Sequence, residues 1–290
     1  MAGESQRIEE ALHRTLLPAT GPAAPPLLAK ALHHAVFPAG QRIRPRLTLS
    51  VAQACGDDQP SLSNAAAAAI ELLHCASLVH DDMPCFDDAA TRRGRPSVHA
   101  AFGEPLALLA GDALIVLAFE TVALAAAFDP LRAASLAVTI AHAVGMPHGI
   151  VAGQAWESEA APDLVAYQRA KTGSLFAGAA MAGAAAAGSA AEDWRAFGYR
   201  LGEAYQVADD LRDVLCSASE IGKPVGQDKA FGRPNAAHVL GVAGAARRLM
   251  ALVEEAAEAV PDCPGAVVLR AQIRAQAGLF LPKEASLHAA

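Results

Sequence analysis

The chain has 290 residues, 53% of them hydrophobic and 18% charged, which suits one large domain or two small ones and allows a large core. Its net charge of −7 and lack of a basic run argue against a nucleic-acid binder, and an acidic chain that handles an anionic substrate needs metal ions or local arginines to overcome repulsion. Five scattered cysteines without a CxxC pattern argue against a disulfide framework or a zinc site; the first residues, MAGESQRIEEALHRTL, carry early acids and no unbroken apolar run, unlike a secretory signal, so a reduced cytoplasm is the expected compartment.

Alanine and leucine dominate, β-branched residues are sparse and aromatics make up 5%, a composition that predicts helices throughout. A first helix is expected near 4–17 and a second near 27–36, separated by the GPAAPP loop. PAGQRIRP (38–45) reads as a loop whose Pro45 opens a helix over 46–54. A longer helix over 62–82 stops before Pro84, and more follow near 98–126, 129–145, 149–157, 163–170, 174–188, 192–216, 234–259 and 264–279. The uncharged stretch FAGAAMAGAAAAGSAA (176–191) is mostly alanine, so a buried helix with close neighbours is expected rather than a membrane span. With no linker, tail or short repeat, residues 1–290 read as one all-α domain.

Two acidic clusters close apolar helices. In YQVADDLRDVL, Asp209 and Asp213 are four residues apart and share a helix face, an unfavourable pairing unless something positive lies between them. In LVHDDMPCFDDAATRRGRP, Asp81 and Asp87 stand six residues apart, about 240° around an ideal helix. They converge only if the helix breaks, and Pro84 breaks it, letting a turn of MPCF carry Asp87 back beside Asp81. Oxygen ligands without a Cys or His cluster point to Mg²⁺, which takes one or two carboxylates and shares its shell with phosphates. Arg92 and Arg93 follow at once, and a guanidinium matches phosphate oxygens two at a time.

With those residues in view, the chain resembles the trans-isoprenyl diphosphate synthases over roughly 37–240. HCASLVHDDMPCFDDAATRRGRPSVH (74–99) is similar to that family's first aspartate-rich motif, AYQVADDLRDV (204–214) to its second, KTGSLF (171–176) to its KTG motif, and GQRIRP (40–45) to the segment written GGKRxRP. DDMPC, LLAGDAL and GKPVGQD most resemble bacterial geranylgeranyl diphosphate synthases of the carotenoid type. The resemblance implies an all-helical homodimer around a deep cavity, with no membrane span, that condenses isopentenyl diphosphate with allylic diphosphates using three Mg²⁺ per site. By the same resemblance Asp81, Asp87 and Asp209 are the main metal ligands, supported by Asp82, Asp210 and Asp213. Arg92, Lys171 and Lys223 bind the allylic diphosphate, Thr172 and Gln206 flank the cationic carbon, and Arg44, His74 and Arg93 bind isopentenyl diphosphate. Gln41 replaces the usual lysine, so one contact to that substrate is neutral, with Arg42 a candidate to assist; Arg233, in GRPNAA, stands in for a lysine of the usual KxTYP stretch.

The expected chemistry is ionisation, condensation and elimination, with the allylic cation shielded from water by apolar helices. Ser77, one turn before Asp81, and its neighbour Ala76 are small, leaving room for a C20 chain; in the family, the position five before the first aspartate acts as a gate. Three rivals are a farnesyl diphosphate synthase, a class I terpene cyclase, which needs no second cluster, and a non-catalytic subunit that modulates a synthase.

Overall fold

A computed structural model describes residues 2–37, 40–161, 163–215 and 235–280. Helices α1 (Ala2–Ala19), α2 (Pro26–Val36), α3 (Ile43–Ala54) and α4 (Pro60–Asp81) come first. Pro26 and Pro60 open α2 and α4, where a missing N–H costs no intrahelical bond. Helix α3 starts before the expected residue, with Pro45 in its first turn.

The expected helix over 98–126 is two: α5 (Val98–Phe102) and α6 (Glu104–Ala125), divided at Gly103 with φ of 87°. Between α4 and α5 lies a two-stranded ribbon, β1 (Thr91–Arg92) and β2 (Arg95–Pro96), antiparallel with Arg92 opposite Arg95. Its turn residues, Arg93 and Gly94, have φ of 55° and 73°, the pair of positive values that a tight two-residue hairpin demands. Glycine tolerates this without a Cβ penalty, so the RRG triplet is first of all a hairpin turn.

Helices α7 (Pro130–Val144) and α8 (Ile150–Trp156) follow, and Asp129 caps α7 by accepting from the Leu131 and Arg132 amides. Next, α9 (Leu164–Gln168) runs into a wide π turn, Arg169–Gly173, and straight on as α10 (Ser174–Ala186). All 13 residues of α10 are buried, against α3, α4, α7 and α11 (Arg195–Leu215), itself preceded by a 3₁₀ turn, Ala191–Trp194. Small side chains permit this: a Cβ on Gly178 would come within 2.3 Å of the Ala143 Cβ, and one on Gly183 within 2.3 Å of the Thr48 carbonyl oxygen. Phe176, 0% exposed, supplies the bulk that alanine lacks, worth about 1.5–3 kcal/mol relative to an exposed position. Residues 176–186 of that stretch are thus core helix, as its composition implied, and 187–191 lie beyond the helix end. Helices α12 (Ala236–Glu258), bent at Gly241, and α13 (Ala266–Phe280) complete the described chain.

Among the described residues, three helices, α4, α6 and α12, are long and apolar enough to cross a membrane by length and composition. The apolar window of α4 is 78% buried, whereas that of α6 is 39% buried and that of α12 33%. On α6 and α7 the exposed apolar residues include Leu108, Leu109, Val116, Leu124, Leu131 and Val138.

Candidate active site

One cavity of about 440 Å³ opens between the ends of α4 and α11 and the π turn. Asp81, the last residue of α4, lines it. The chain then turns back through Pro84, and the Asp87 amide donates to the Asp81 carbonyl at 3.0 Å. That closure sets the Asp87 carboxylate beside Asp81, as the spacing around Pro84 predicts. Asp209 and Asp213 of α11 line the same cavity, so both clusters share one space.

A third acid joins the first pair. Oxygens of Asp81, Asp87 and Glu157 all lie within 4.8 Å of one another. Glu157 caps the C-terminus of α8, accepts from Tyr167 Oη at 2.7 Å and Gln154 Nε2 at 3.0 Å, and pairs with Lys171. Lys171 also reaches Asp81 at 3.4 Å. Burial pushes the Asp81 carboxyl above its ordinary value; Lys171 opposes the rise, and Asp87 and Glu157 add to it. Oxygen-only donors crowded at two helix C-termini, where the helix dipole already disfavours negative charge, fit a hard divalent cation. Sequence reasoning assigned Glu157 no role. Its signal was an acid at the end of an apolar helix, the same misfit that marks Asp81.

The second aspartate of each pair faces elsewhere. Asp82, 2% exposed, takes Arg92 Nε at 3.0 and 3.1 Å on its two oxygens, with Nη2 adding a third contact. Asp210, 3% exposed, accepts from Gln206 Nε2 at 2.9 Å on Oδ1 and from the Ala236 amide at 2.7 Å on Oδ2. Both carboxylates are held by protein donors in this structure. Arg92, though clamped on Asp82, still borders the cavity.

Thr172 and Gln206 both line the cavity, and the Thr172 hydroxyl donates to Gln206 Oε1 at 3.0 Å. Deeper in, Arg44 lies over the Phe176 ring at 4.6 Å and its Nη1 donates to His74 Nε2 at 3.3 Å. Burial, then the charges of Arg44 and Arg93, holds the His74 imidazole well below its ordinary value. His74 is therefore neutral, accepting through Nε2 and carrying its proton on Nδ1. The buried Arg44 Nε has no partner among the described residues, an unmet donor that suits an anion.

Other expected site residues lie outside the cavity. Gln41 is exposed and does not line it. Arg93 borders a separate pocket of about 40 Å³ and lies across Gly40, where a Cβ would come within 2.6 Å of its guanidinium carbon. Arg42 cannot assist Gln41: it is 5% exposed and donates to Glu9, Glu71 and the Val36 carbonyl. Burial alone would lower its pKa, but Glu9 and Glu71 outweigh that and raise it. Of the two chain-length candidates, Ser77 lines the cavity, whereas Ala76 is 1% exposed and packs in the core. Lys223 and Arg233 lie outside the described residues.

Residues 25–268 match the family described as Polyprenyl synthetase. The chain is 55% identical over 279 residues to the geranylgeranyl diphosphate synthase of Cereibacter sphaeroides, covering 96% of this chain and 97% of that one. It is 50% identical over 281 residues to the Rhodobacter capsulatus protein of the same name, with 97% of each covered. In structure it matches the geranyltransferase of Helicobacter pylori, solved with magnesium and isoprenyl diphosphate, at a TM-score of 0.78 and 27% identity over 97% of each chain.

Proposed function

This chain belongs to the polyprenyl synthetase family, and on that premise we propose that it condenses isopentenyl diphosphate with allylic diphosphates and releases geranylgeranyl diphosphate. The observation that carries the reading is the single cavity walled by Asp81 and Asp87 on one side and Asp209 and Asp213 on the other. These four carboxylates would hold Mg²⁺, three ions if the resemblance extends that far, and the bound ions would neutralise charge growing on the departing diphosphate. Lys171, poised between Glu157 and Asp81, is placed to turn to the same anion. Arg92, and Lys223 by resemblance alone, are proposed for that diphosphate as well.

The C–O bond of the allylic substrate breaks, and the diphosphate leaves with the electron pair. Thr172 and Gln206 would flank the cation with neutral oxygens, and Leu78, Ile150 and Leu175 line the cavity with hydrocarbon that excludes water. The π bond of isopentenyl diphosphate then attacks, and the departing diphosphate accepts the proton lost in elimination. Arg44 and His74 would position the second diphosphate, through the unmet Arg44 Nε and through His74 as a neutral donor. Gln41 and Arg93 do not line this cavity, so their part in binding this substrate rests on the resemblance alone.

The test is condensation by the purified chain with Mg²⁺ and each allylic diphosphate, reading product length. A C20 product is expected, and Ser77→Phe, which fills the cavity below Asp81, is expected to shift the main product to about C15. Ala76→Phe instead overpacks the core and costs about 1–3 kcal/mol of stability. No turnover by the protein alone would overturn the reading in favour of a non-catalytic subunit; an unchanged Ser77→Phe product would remove Ser77 from length control.

We also infer that the exposed apolar face shared by α6 and α7 is covered by a second copy, making a homodimer as the family resemblance implies. Sedimentation equilibrium of the detergent-free protein is expected to give twice the chain mass, and a monomer at micromolar concentration would sink this assignment.

A further inference from the structure

Two free cysteines meet at a corner where three chain segments come together. Cys55 caps the C-terminus of α3, and Cys263 sits in the loop between α12 and α13. The Cys55 thiol hydrogen-bonds with Cys263 and with Ser189, just past the end of α10. The backbone fastens the same corner. The Gly265 amide donates to the Ala54 carbonyl at 2.8 Å, and a Cβ on Gly265 would come within 2.6 Å of the Ala54 Cα. Neither cysteine lines the candidate active-site cavity. We propose that Cys55 and Cys263 form a reversible oxidation site, which a hydroperoxide converts to a disulfide that staples α13 to α3.

Both thiols are half-buried and bordered by open chain: Gly56 follows Cys55, Asp262 and Pro264 flank Cys263, and all three are exposed. A small peroxide can reach such a place. Burial raises the Cys55 thiol above its ordinary value; Ser189 opposes the rise and Cys263 adds to it. Cys55 therefore keeps its hydrogen at neutral pH and is the resolving thiol, while Cys263 meets the oxidant. The Cys263 thiolate attacks one peroxide oxygen, the O–O bond breaks, and the departing hydroxide takes up the proton that Cys263 lost, becoming water. Cys55 then attacks the resulting sulfenic sulfur. The S–S bond forms, the S–O bond breaks, and the hydroxyl leaves as water with the hydrogen that Cys55 gives up. The two thiols lose two electrons in all, and one hydrogen peroxide is reduced to two waters. Ala54 and Gly265 are already joined, so closing the bridge asks for side-chain rotation and no movement of a helix. The other described cysteines are poorly suited. Cys75 is buried, and burial and the Glu71 charge keep it protonated. Cys85 is exposed but follows the far end of α4, whose 22 residues span roughly 33 Å.

The test is peptide mapping of the purified full-length chain after treatment with hydrogen peroxide in the absence of reductant. A linked Cys55–Cys263 peptide is expected, and the titratable thiols should fall by two from the five of the reduced chain. The bridge closes a loop of about 200 residues, so the melting temperature is expected to rise by about 5 °C and to fall back on adding dithiothreitol. Cys55→Ser and Cys263→Ser are each expected to lose both the linked peptide and the rise, whereas Cys85→Ser keeps both. Glutathione disulfide, acting through a mixed disulfide, is expected to give the same linked peptide in the wild-type chain, so the result does not hang on either serine variant folding. Conversion of Cys263 to sulfinic acid without a linked peptide would overturn the proposal. Its linkage to Cys85 or Cys216, or a lasting glutathione adduct that Cys55 fails to displace, would do the same. A linked peptide with no change in melting temperature would refute the stapling of α13. Both readouts are indifferent to whether the chain condenses prenyl diphosphates.

Discussion

Asp81→Asn is expected to lower condensation by roughly 10²–10³-fold while leaving the metal-free protein as stable as the wild type or more so. The two effects have one origin. Burial raises the Asp81 carboxyl above its ordinary value, Lys171 and Arg92 oppose the rise, and Asp87 and Glu157 reinforce it. An ionised Asp81 is therefore a cost to the folded chain at neutral pH, which a bound cation would offset. A neutral amide of the same shape relieves the crowding and forfeits the cation. Thermal melting in chelator, beside product formation in Mg²⁺, measures both sides. A variant that keeps more than a tenth of wild-type turnover would remove Asp81 from the metal site.

Arg42→Ala is expected to destabilise the fold by about 3–5 kcal/mol, because it leaves Glu71 buried without its cation. Glu71 is 1% exposed, pairs with Arg42 Nη1 at 2.6 Å, and lies 4.0 Å from the Cys75 thiol. Burial, then the Glu71 charge, pushes that thiol up to about 12, so it stays protonated and cannot replace a guanidinium. The melting temperature should fall on the order of 10 °C. Arg42→Met combined with Glu71→Met should regain most of it, since two apolar side chains leave no orphaned charge and the part-exposed Glu9 can turn to water. Arg42 also holds a left-handed backbone, φ of 50°, at the start of the helix that carries Arg44. The single variant should therefore raise KM for isopentenyl diphosphate as well. A melting temperature within about 2 °C of wild type would show that Glu71 finds another partner.

Much of this site is written in local chemistry. The break at Pro84 and the spacing of Asp81 and Asp87 require a returning turn, and the turn is there. The i, i+4 placement of Asp209 and Asp213 puts both on one face, and both reach the cavity. Alanine and glycine in 176–191 allow backbones to touch, and α10 is the core. The errors have physical reasons too. Neighbouring helical residues point about 100° apart, so the two carboxylates of a DD pair take different surroundings, which the likeness of their side chains does not reveal. Arg42 reads as a substrate contact because charge is visible in a sequence and burial is not. The division at Gly103 lies inside an apolar run that hides it. Strands of two residues carry no alternation to detect, leaving Arg93-Gly94 as the only trace of the ribbon.

The wide turn at Arg169–Gly173 has a bearing on how this protein could change. A loop of helix with one residue too many is poorly bonded, and deleting one residue there would let α9 run into α10 as a regular rod. Each residue removed swings everything on one side by about 100° relative to the other. Lys171 and Thr172 would leave the wall, or all of α10 would be wrenched from its neighbours. The sturdier helix and the working one are incompatible, so any lineage or designer tempted to tidy that irregularity would trade away catalysis for regularity.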